Sequence, residues 1–366
     1  MCIRFPRGRR LLTYASLPST PIQIPGRMTL LRSTSLKYVL SVALTIVLLY
    51  LAFRGTDVGK LFSSIREAHY GWIVVMFLCL MLSHAFRAWR WRYFLDPIKP
   101  NISFRNLFSG VMIGYCVNNA LPRVGELVRP YWIGRLESVP KSAALGTIVV
   151  ERIIDTASFL VLVIIIPFVY NGPLMETFPW LREAGIIISL VTFGFLIAAV
   201  VLMSRRDWTD TLLRRATGFL SPSLSLKFDG VVHSFLDGFL FLKRPGAFLV
   251  ILILSILVWF LYIVMTYVAF FSFGEGMSHL GFGAALVVLA ISSIGVAIPT
   301  PGATGSYHWF ATQTLVRLFH IPHDLALSYA TVTHAAGFVG VTVVGLYYFV
   351  HDHVGIRDAI TRSREG

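Results

Sequence analysis

The residues best placed to do chemistry are Glu151, Arg152 and Asp155, three charges inside the apolar segment 143–170. A charge at bilayer depth is expensive, so ionisable residues there are functional candidates by default. Glu151 and Asp155, four apart, share one helix face, and Arg152 projects to a neighbouring one. All three need partners, and Arg123 and Arg129 are the nearest cations in sequence. Two readings are open. The charges form a closed ion-pair network that holds a helix bundle together, or part of the network binds an anionic headgroup or relays a proton.

A second stretch, Asn118-Asn119-Ala120-Leu121-Pro122-Arg123-Val124-Gly125-Glu126-Leu127-Val128-Arg129, ends an apolar run with a break. Pro122 interrupts a helix, and Gly125 permits a tight turn or a close backbone approach. A helix restarting there would present free amides and a positive dipole end. Arg123 and Arg129 would add planar forks of donors, which together suit a phosphate, with Glu126 orienting one arginine. The plainer alternative is a capped loop whose arginines reach lipid headgroups. A further break, Ile298-Pro299-Thr300-Pro301-Gly302-Ala303-Thr304-Gly305, is rich in Pro and Gly. Irregular backbone at membrane depth is tolerated where it lines a cavity. His308 and His334 could titrate near neutral pH, although a lone histidine is more commonly an interfacial or core residue. His351-Asp352-His353 could hold a metal, but its place at the exit of a span favours solvation. There is no P-loop, GxSxG, HExxH, DxD or dinucleotide glycine pattern. No catalytic residue, metal or cofactor is therefore expected, and a non-enzyme is favoured.

The elements that carry these residues follow from composition. The 366 residues are 56% hydrophobic and only 14% charged, against about a quarter charged in soluble domains. Several runs approach the roughly 20 apolar residues that cross a hydrocarbon core, and such runs must be helices. An all-α, polytopic transmembrane bundle over 36–350 is expected. Its apolar runs are 36–53, 71–91, 106–121, 143–170, 184–203, 247–272, 282–298, 306–319 and 325–350. The net charge of +14 sits in loops between these runs, which fits membrane topology rather than nucleic-acid binding. Residues 1–35 carry only basic charges and four prolines. They are expected to be a disordered cytoplasmic tail, with Met28 an alternative start. Phe86-Arg87-Ala88-Trp89-Arg90-Trp91-Arg92-Tyr93 has the composition of a headgroup boundary, where Trp and Tyr straddle the interface and Arg snorkels. Residues 204–246 are read as an amphipathic cytoplasmic segment and 351–366 as a cytoplasmic tail. Cys2, Cys79 and Cys116 form no CxxC pair.

If every run crossed fully, the strongly basic loop 204–246 would lie outside, against the positive-inside bias. The conflict disappears if 106–121 enters and returns as a broken hairpin and 282–319 does the same from the opposite face. Both termini are then cytoplasmic. Ala120-Leu121-Pro122-Arg123-Val124-Gly125 parallels Ala297-Ile298-Pro299-Thr300-Pro301-Gly302, and Ala144-Leu145 parallels Ala326-Leu327, setting Arg152 opposite His334. This reads as an inverted-topology repeat, an arrangement that places substrate sites near the midplane at discontinuous helices. The two breaks are expected to face each other.

With Asn119, Leu121, Pro122, Arg123, Gly125, Glu126 and Arg129, then Glu151-Arg152-x-x-Asp155, then Pro301-Gly302-x-x-Gly305, the chain resembles the lysylphosphatidylglycerol synthase transmembrane-region family, also called flippase-like or UPF0104 proteins. The resemblance runs over about 35–350. It implies a multi-pass protein of the cell (inner) membrane. In the full synthases a domain of this type moves aminoacylated phosphatidylglycerol between leaflets, while a separate soluble domain performs the transfer. Two departures matter: Ala303 stands where the family pattern has a second glycine, and His308 where it has a glutamate. The soluble synthase domain is absent from this sequence. The expected function is a lipid translocase-like protein binding an anionic or lipid-linked headgroup through Arg123, Arg129 and Arg152, tuned by Glu126, Glu151 and Asp155. The alternatives are a membrane-embedded transferase on a lipid-linked sugar or aminoacyl lipid, and a non-catalytic membrane partner. Expected partners are membrane lipids and a membrane-bound or soluble enzyme, not nucleic acid.

Overall fold

The computed structural model describes residues 27–204, 211, 215 and 222–365. The chain divides into two units, 1–39 and 40–366. In the first, the described residues are helical. The functional stretches all lie in the second, and its described regular structure is helical throughout, with no strand.

In chain order the helices are α1 (Arg27–Phe53), α2 (Val58–Glu67), α3 (Tyr70–Leu95), α4 (Phe104–Ala120), α5 (Gly125–Glu137), α6 (Lys141–Val169), α7 (Leu174–Thr177), α8 (Trp180–Ser204), α9 (Pro222–Asp237), α10 (Pro245–Phe270), α11 (Phe282–Ala297), α12 (Ser306–Phe319) and α13 (His323–Glu365). Among the described residues four helical stretches are long and apolar enough to cross a membrane: Tyr70–Leu95, Lys141–Val169, Gly246–Gly276 and His323–Asp352. At about 1.5 Å per residue each exceeds the roughly 30 Å of hydrocarbon. The protein is a polytopic helical membrane protein.

Three local outcomes differ from sequence expectation. Residues after 53 are not a plain loop: α2 is a helix bent by 90° from α1. The Asp57 side chain starts it by accepting from the Gly59 and Lys60 amides, and Leu61 turns inward while Phe62 stays exposed. Helix α1 begins ahead of the apolar run at 36, so the expected disordered tail 1–35 is helical from Arg27; residues 1–26 lie outside the described residues. At the other terminus the last span does not stop at 350: α13 continues as helix through Glu365, into the segment read as a tail.

Both interrupted runs are hairpins. Helices α4 and α5 pack on each other antiparallel: Gly114 meets Gly125 and Arg129 near the tip, and at the open end the Ser103 amide and the Asn106 side chain both donate to Glu137 Oε1. Helices α11 and α12 pack in the same way, with Gly295 against Ser306 and Phe310. The hairpins open at opposite ends of the bundle. The first opens where α3 ends and α6 begins, since Lys99 pairs with Glu137. The second opens where α6 ends, with Tyr170 against Phe319. That end also gathers the start of α3, whose His69 amide donates to the Ser272 carbonyl, and the start of α13, whose Asp324 accepts from the Asp57 amide.

The order span, hairpin, span therefore occurs twice, as α3, α4–α5, α6 and as α10, α11–α12, α13. Its packing is reciprocal. Helices α3 and α10 pack along each other, α4 lies on α13, and α11 lies on α6. This is the contact pattern of an inverted repeat.

The first hairpin closes tightly only because its tip carries glycine. A Cβ built on Gly125 would sit 1.8 Å from the Gly114 carbonyl oxygen. Gly125→Ala must push α5 away from α4, costing about 1–3 kcal/mol or more by overpacking. Thermal unfolding in detergent should show that loss, whereas Gly185→Ala in α8, where a Cβ meets nothing within 4 Å, should be neutral or stabilising.

Candidate functional site

Six charged side chains from three helices converge between α3, α5, α6 and α10. Glu151 is fully buried and is the hub. Arg129 holds it through two bonds, Nη1 to Oε1 at 3.1 Å and Nη2 to Oε2 at 3.0 Å. Arg87 Nη1 donates to Oε1 at 2.7 Å and Arg152 Nη2 to the same atom at 2.9 Å. Asp155 is the second acceptor, taking Arg87 at 2.6 Å, Arg90 at 2.6 Å and Arg152 at 3.2 Å. Polar groups of α10 complete the set: Ser255 Oγ accepts from Arg90 at 2.8 Å and the Tyr262 hydroxyl from Arg87 at 3.1 Å. The Arg129 guanidinium lies 4.4 Å from the Trp91 ring centroid, a cation–π contact.

Helical spacing explains the convergence. His84, Arg87 and Trp91 repeat at three and four residues along one face of α3, with Arg90 beside them, and all four are buried. Glu151 and Asp155 line one face of α6. Charges removed from water need such pairing, because an isolated buried ion carries a desolvation cost its partners must offset. Four guanidiniums here meet two buried carboxylates, so the cluster is cationic. Glu126 adds a third acid at its edge, 4.0 Å from Arg152. That pair is the accessible face of the site, with 39% of the Arg152 side chain and 36% of the Glu126 side chain exposed.

The structure thus joins Glu126, Arg129, Glu151, Arg152 and Asp155. Arg123 is placed elsewhere. Its backbone is left-handed, at φ 64°, and its Nη2 donates at 2.6 Å to the carbonyl of Ala297, the last residue of α11. A cation there complements the negative end of that helix. The expected amide cradle at the start of α5 is not open: the Gly125 amide donates to Asn118 Oδ1 at 2.7 Å, and the Glu126 and Leu127 amides bond the carbonyls of Arg123 and Val124.

The segment 86–93 needs the largest correction. Arg87 and Arg90 do not snorkel; they are buried partners of the two acids. Composition alone hides this, because arginine mixed with Trp and Tyr is what a headgroup boundary contains. The signal was the spacing, which sets Arg87, Arg90 and Trp91 on one helix face while Trp89 is exposed on another.

The second break meets the first. Besides the Arg123 contact, a Cβ on Gly302 (φ +56°) would lie 3.3 Å from Asn119 Oδ1 and 2.5 Å from the Phe338 ring. Asn119 donates to the Phe338 carbonyl and to Thr342 Oγ1 on α13. Ser41 of α1 donates to the Pro299 carbonyl, and Pro301 begins a single 3-10 turn that Gly305 leads into α12. His308 and His334 stand together here, ring centroids 4.7 Å apart, with His334 Nε2 bonded to the Gly302 carbonyl at 2.9 Å. Among the described residues no cluster of three or more His, Cys, Asp or Glu could hold a metal. Asp352 is not solvated. It is buried against Arg105 at 2.7 Å, Ser109 and Trp132, tying α13 to both arms of the first hairpin.

The family model described as the lysylphosphatidylglycerol synthase TM region matches residues 38–345. The chain belongs to that family. It is similar to UPF0104 membrane proteins of three organisms. That of Methanocaldococcus jannaschii is 24% identical over 87% of this chain and 95% of its own length. That of Pyrococcus horikoshii is 26% identical over 74% and 83%. That of Methanothermobacter thermautotrophicus is 23% identical over 68% and 76%. The matched region contains both hairpins and the whole charge cluster.

Removing the hub acid strands an arginine, since Glu151 is the carboxylate that holds Arg129. Glu151→Gln leaves Arg129 buried without its carboxylate and should cost roughly 3–5 kcal/mol. Glu151→Gln combined with Arg129→Met, which restores the original charge excess, should regain most of that stability. Unfolding of the two variants in the same detergent checks the difference.

Proposed function

We propose that this family member is a lipid translocase-like protein that receives a phosphate-bearing headgroup at the Arg152–Glu126 edge of the charge cluster. The observation that carries the reading is the charge imbalance: a buried site holding more guanidinium than carboxylate, with one arginine and one weakly engaged acid facing out. An arriving phosphate offers Arg152 a stronger, forked partner than Glu126 does at 4.0 Å. Glu126 is then released, and Glu151 and Asp155 keep the remaining arginines in place. The paired breaks beside the site supply the irregular backbone that discontinuous-helix transporters place at their binding sites.

We also place the protein in the cell membrane with both termini cytoplasmic. The open end of the first hairpin carries Arg92, Lys99, Arg105, Arg135, Lys141 and Arg244, and α9 meets the start of α6 there, Ser142 bonding Ser234. The connections 171–183 and 273–281 at the other end contain only Arg182. In a chain whose native cysteines are replaced by serine, Arg135→Cys should resist an impermeant thiol reagent applied to intact cells, and Glu176→Cys should react. The reverse pattern overturns the orientation.

The functional test is reconstitution into liposomes with a panel of fluorescent phospholipids, following transfer between leaflets. The protein should accelerate transfer of an anionic lipid, and Arg152→Ala should reduce it at least tenfold with little change in unfolding temperature. Unaltered transfer in Arg152→Ala removes that residue from the path. No transfer of any lipid by the folded protein, or loss of folding alone in the variant, makes the cluster structural.

A further inference from the structure

The histidine pair at the second break carries an inference about the rest of the headgroup. The backbone sets both tautomers. The Gly302 carbonyl can only accept, so His334 Nε2, at 2.9 Å, carries the proton and its Nδ1 keeps the lone pair. The Gly305 amide can only donate, so His308 Nδ1, at 3.4 Å, keeps its lone pair and its Nε2 carries the proton. Neither His308 Nε2 nor His334 Nδ1 has a hydrogen-bond partner among the described residues. One N–H donor and one nitrogen acceptor thus stand free on two rings whose centroids are 4.7 Å apart. Among the described residues no carboxylate or guanidinium is ion-paired to either ring.

A free donor beside a free acceptor matches a hydroxyl, which accepts one hydrogen bond and donates another. It does not match an ammonium, which only donates and would need an acid nearby. It does not match a second phosphate or carboxylate, which only accepts. The aromatic rings of Tyr307 and Phe338, with centroids 5.7 Å and 5.8 Å from the His334 ring, give the apolar wall that the carbon face of a polyol packs on. This pair stands on the second break, and the cationic edge follows the first break at Glu126. His334 holds Gly302, Gly302 lies against Asn119, and Arg123 follows Asn119 and clamps Ala297.

We infer that the second half of the protein reads a hydroxyl of the headgroup, so that the substrate is a phospholipid whose phosphate bears an uncharged polyol or sugar rather than an amine. This rests on the phosphate reading of the first half. The probes are defined lipids offered to the full chain in detergent, with retention read by native mass spectrometry. Phosphatidylglycerol and phosphatidylinositol carry both groups, phosphatidic acid carries phosphate alone, and phosphatidylethanolamine carries phosphate and an amine. The intact protein should hold the two hydroxyl lipids about three- to tenfold more tightly than phosphatidic acid, the ratio expected for one satisfied hydrogen bond. His334→Phe should bring that ratio to about one while leaving phosphatidic acid bound. His308→Gln, which keeps a side-chain N–H, should retain part of the preference if it folds. Equal retention of phosphatidic acid and the hydroxyl lipids by the intact protein, or a preference for phosphatidylethanolamine, overturns the inference and leaves the phosphate reading standing. A preference that survives His334→Phe overturns it too. Retention of no phospholipid at all is the distinct result that removes the phosphate reading and this inference with it.

Discussion

The carboxylate of Glu151 is the constraint on which the rest of the first half depends. It is fully buried and accepts from arginines of α3, α5 and α6 at once. Helices in lipid gain little from hydrophobic association, because the surrounding tails are as apolar as they are. Polar contacts must therefore decide which helices stay together. Here the decision is concentrated in one place. Arg129 brings the returning arm of the hairpin to α6, Arg87 and Arg90 bring α3, and Ser255 and Tyr262 bring α10 to those two α3 arginines. The hairpin could not otherwise be so short or so closely folded. Gly114 and Gly125 bring its arms to backbone contact, and Arg129 passes directly over Gly114 to reach the acid.

That concentration has a chemical consequence. A purely structural network would be expected to balance its charges, since an excess of buried positive charge has no compensation within the protein. This network holds four arginines against two buried acids and opens at Arg152 and Glu126, the two members that are each more than a third exposed. The same residues thus fasten the helices and present a cation. The two roles are divided by burial: Arg87, Arg90 and Arg129 are fixed inside, and Arg152 stands at the edge with its nearest neighbours already held.

How far this was legible in sequence can be said residue by residue. The spans were legible because bilayer thickness and backbone hydrogen bonding leave little choice for a long apolar run. The hairpins were legible from Pro122 and Pro299 combined with the bookkeeping of Lys and Arg between runs. Glu151, Arg152 and Asp155 stood out because charge is rare in such segments. Arg87 and Arg90 did not, since their aromatic neighbours mimic an interfacial belt and only helical phase separates Trp91 from Trp89. Arg123 was legible as part of the break but not in its role, because its partner is a carbonyl 174 residues away. Helix α2 was obscured by charges that balance over a short stretch. The Gly125 amide at the start of α5 is capped by Asn118, whose side chain turns forward over the break in a way that spacing does not reveal.

The repeat itself explains why one half is charged and the other is not. The offset that pairs Arg152 with His334 also sets Thr333 opposite Glu151 and Gly337 opposite Asp155. The positions are used alike: Tyr307 of the second hairpin bonds Thr333 at 3.0 Å, as Arg129 of the first bonds Glu151. The backbone plan of hairpin arm against following span is thus kept while the ion pair is replaced by a hydroxyl pair. An uncharged contact needs no further partners, which frees the imidazoles from the duty of neutralising anything. The first half must spend its acids on holding its own arginines together. The second half, built on the same plan, has neutral side chains left over at the point where the two breaks touch.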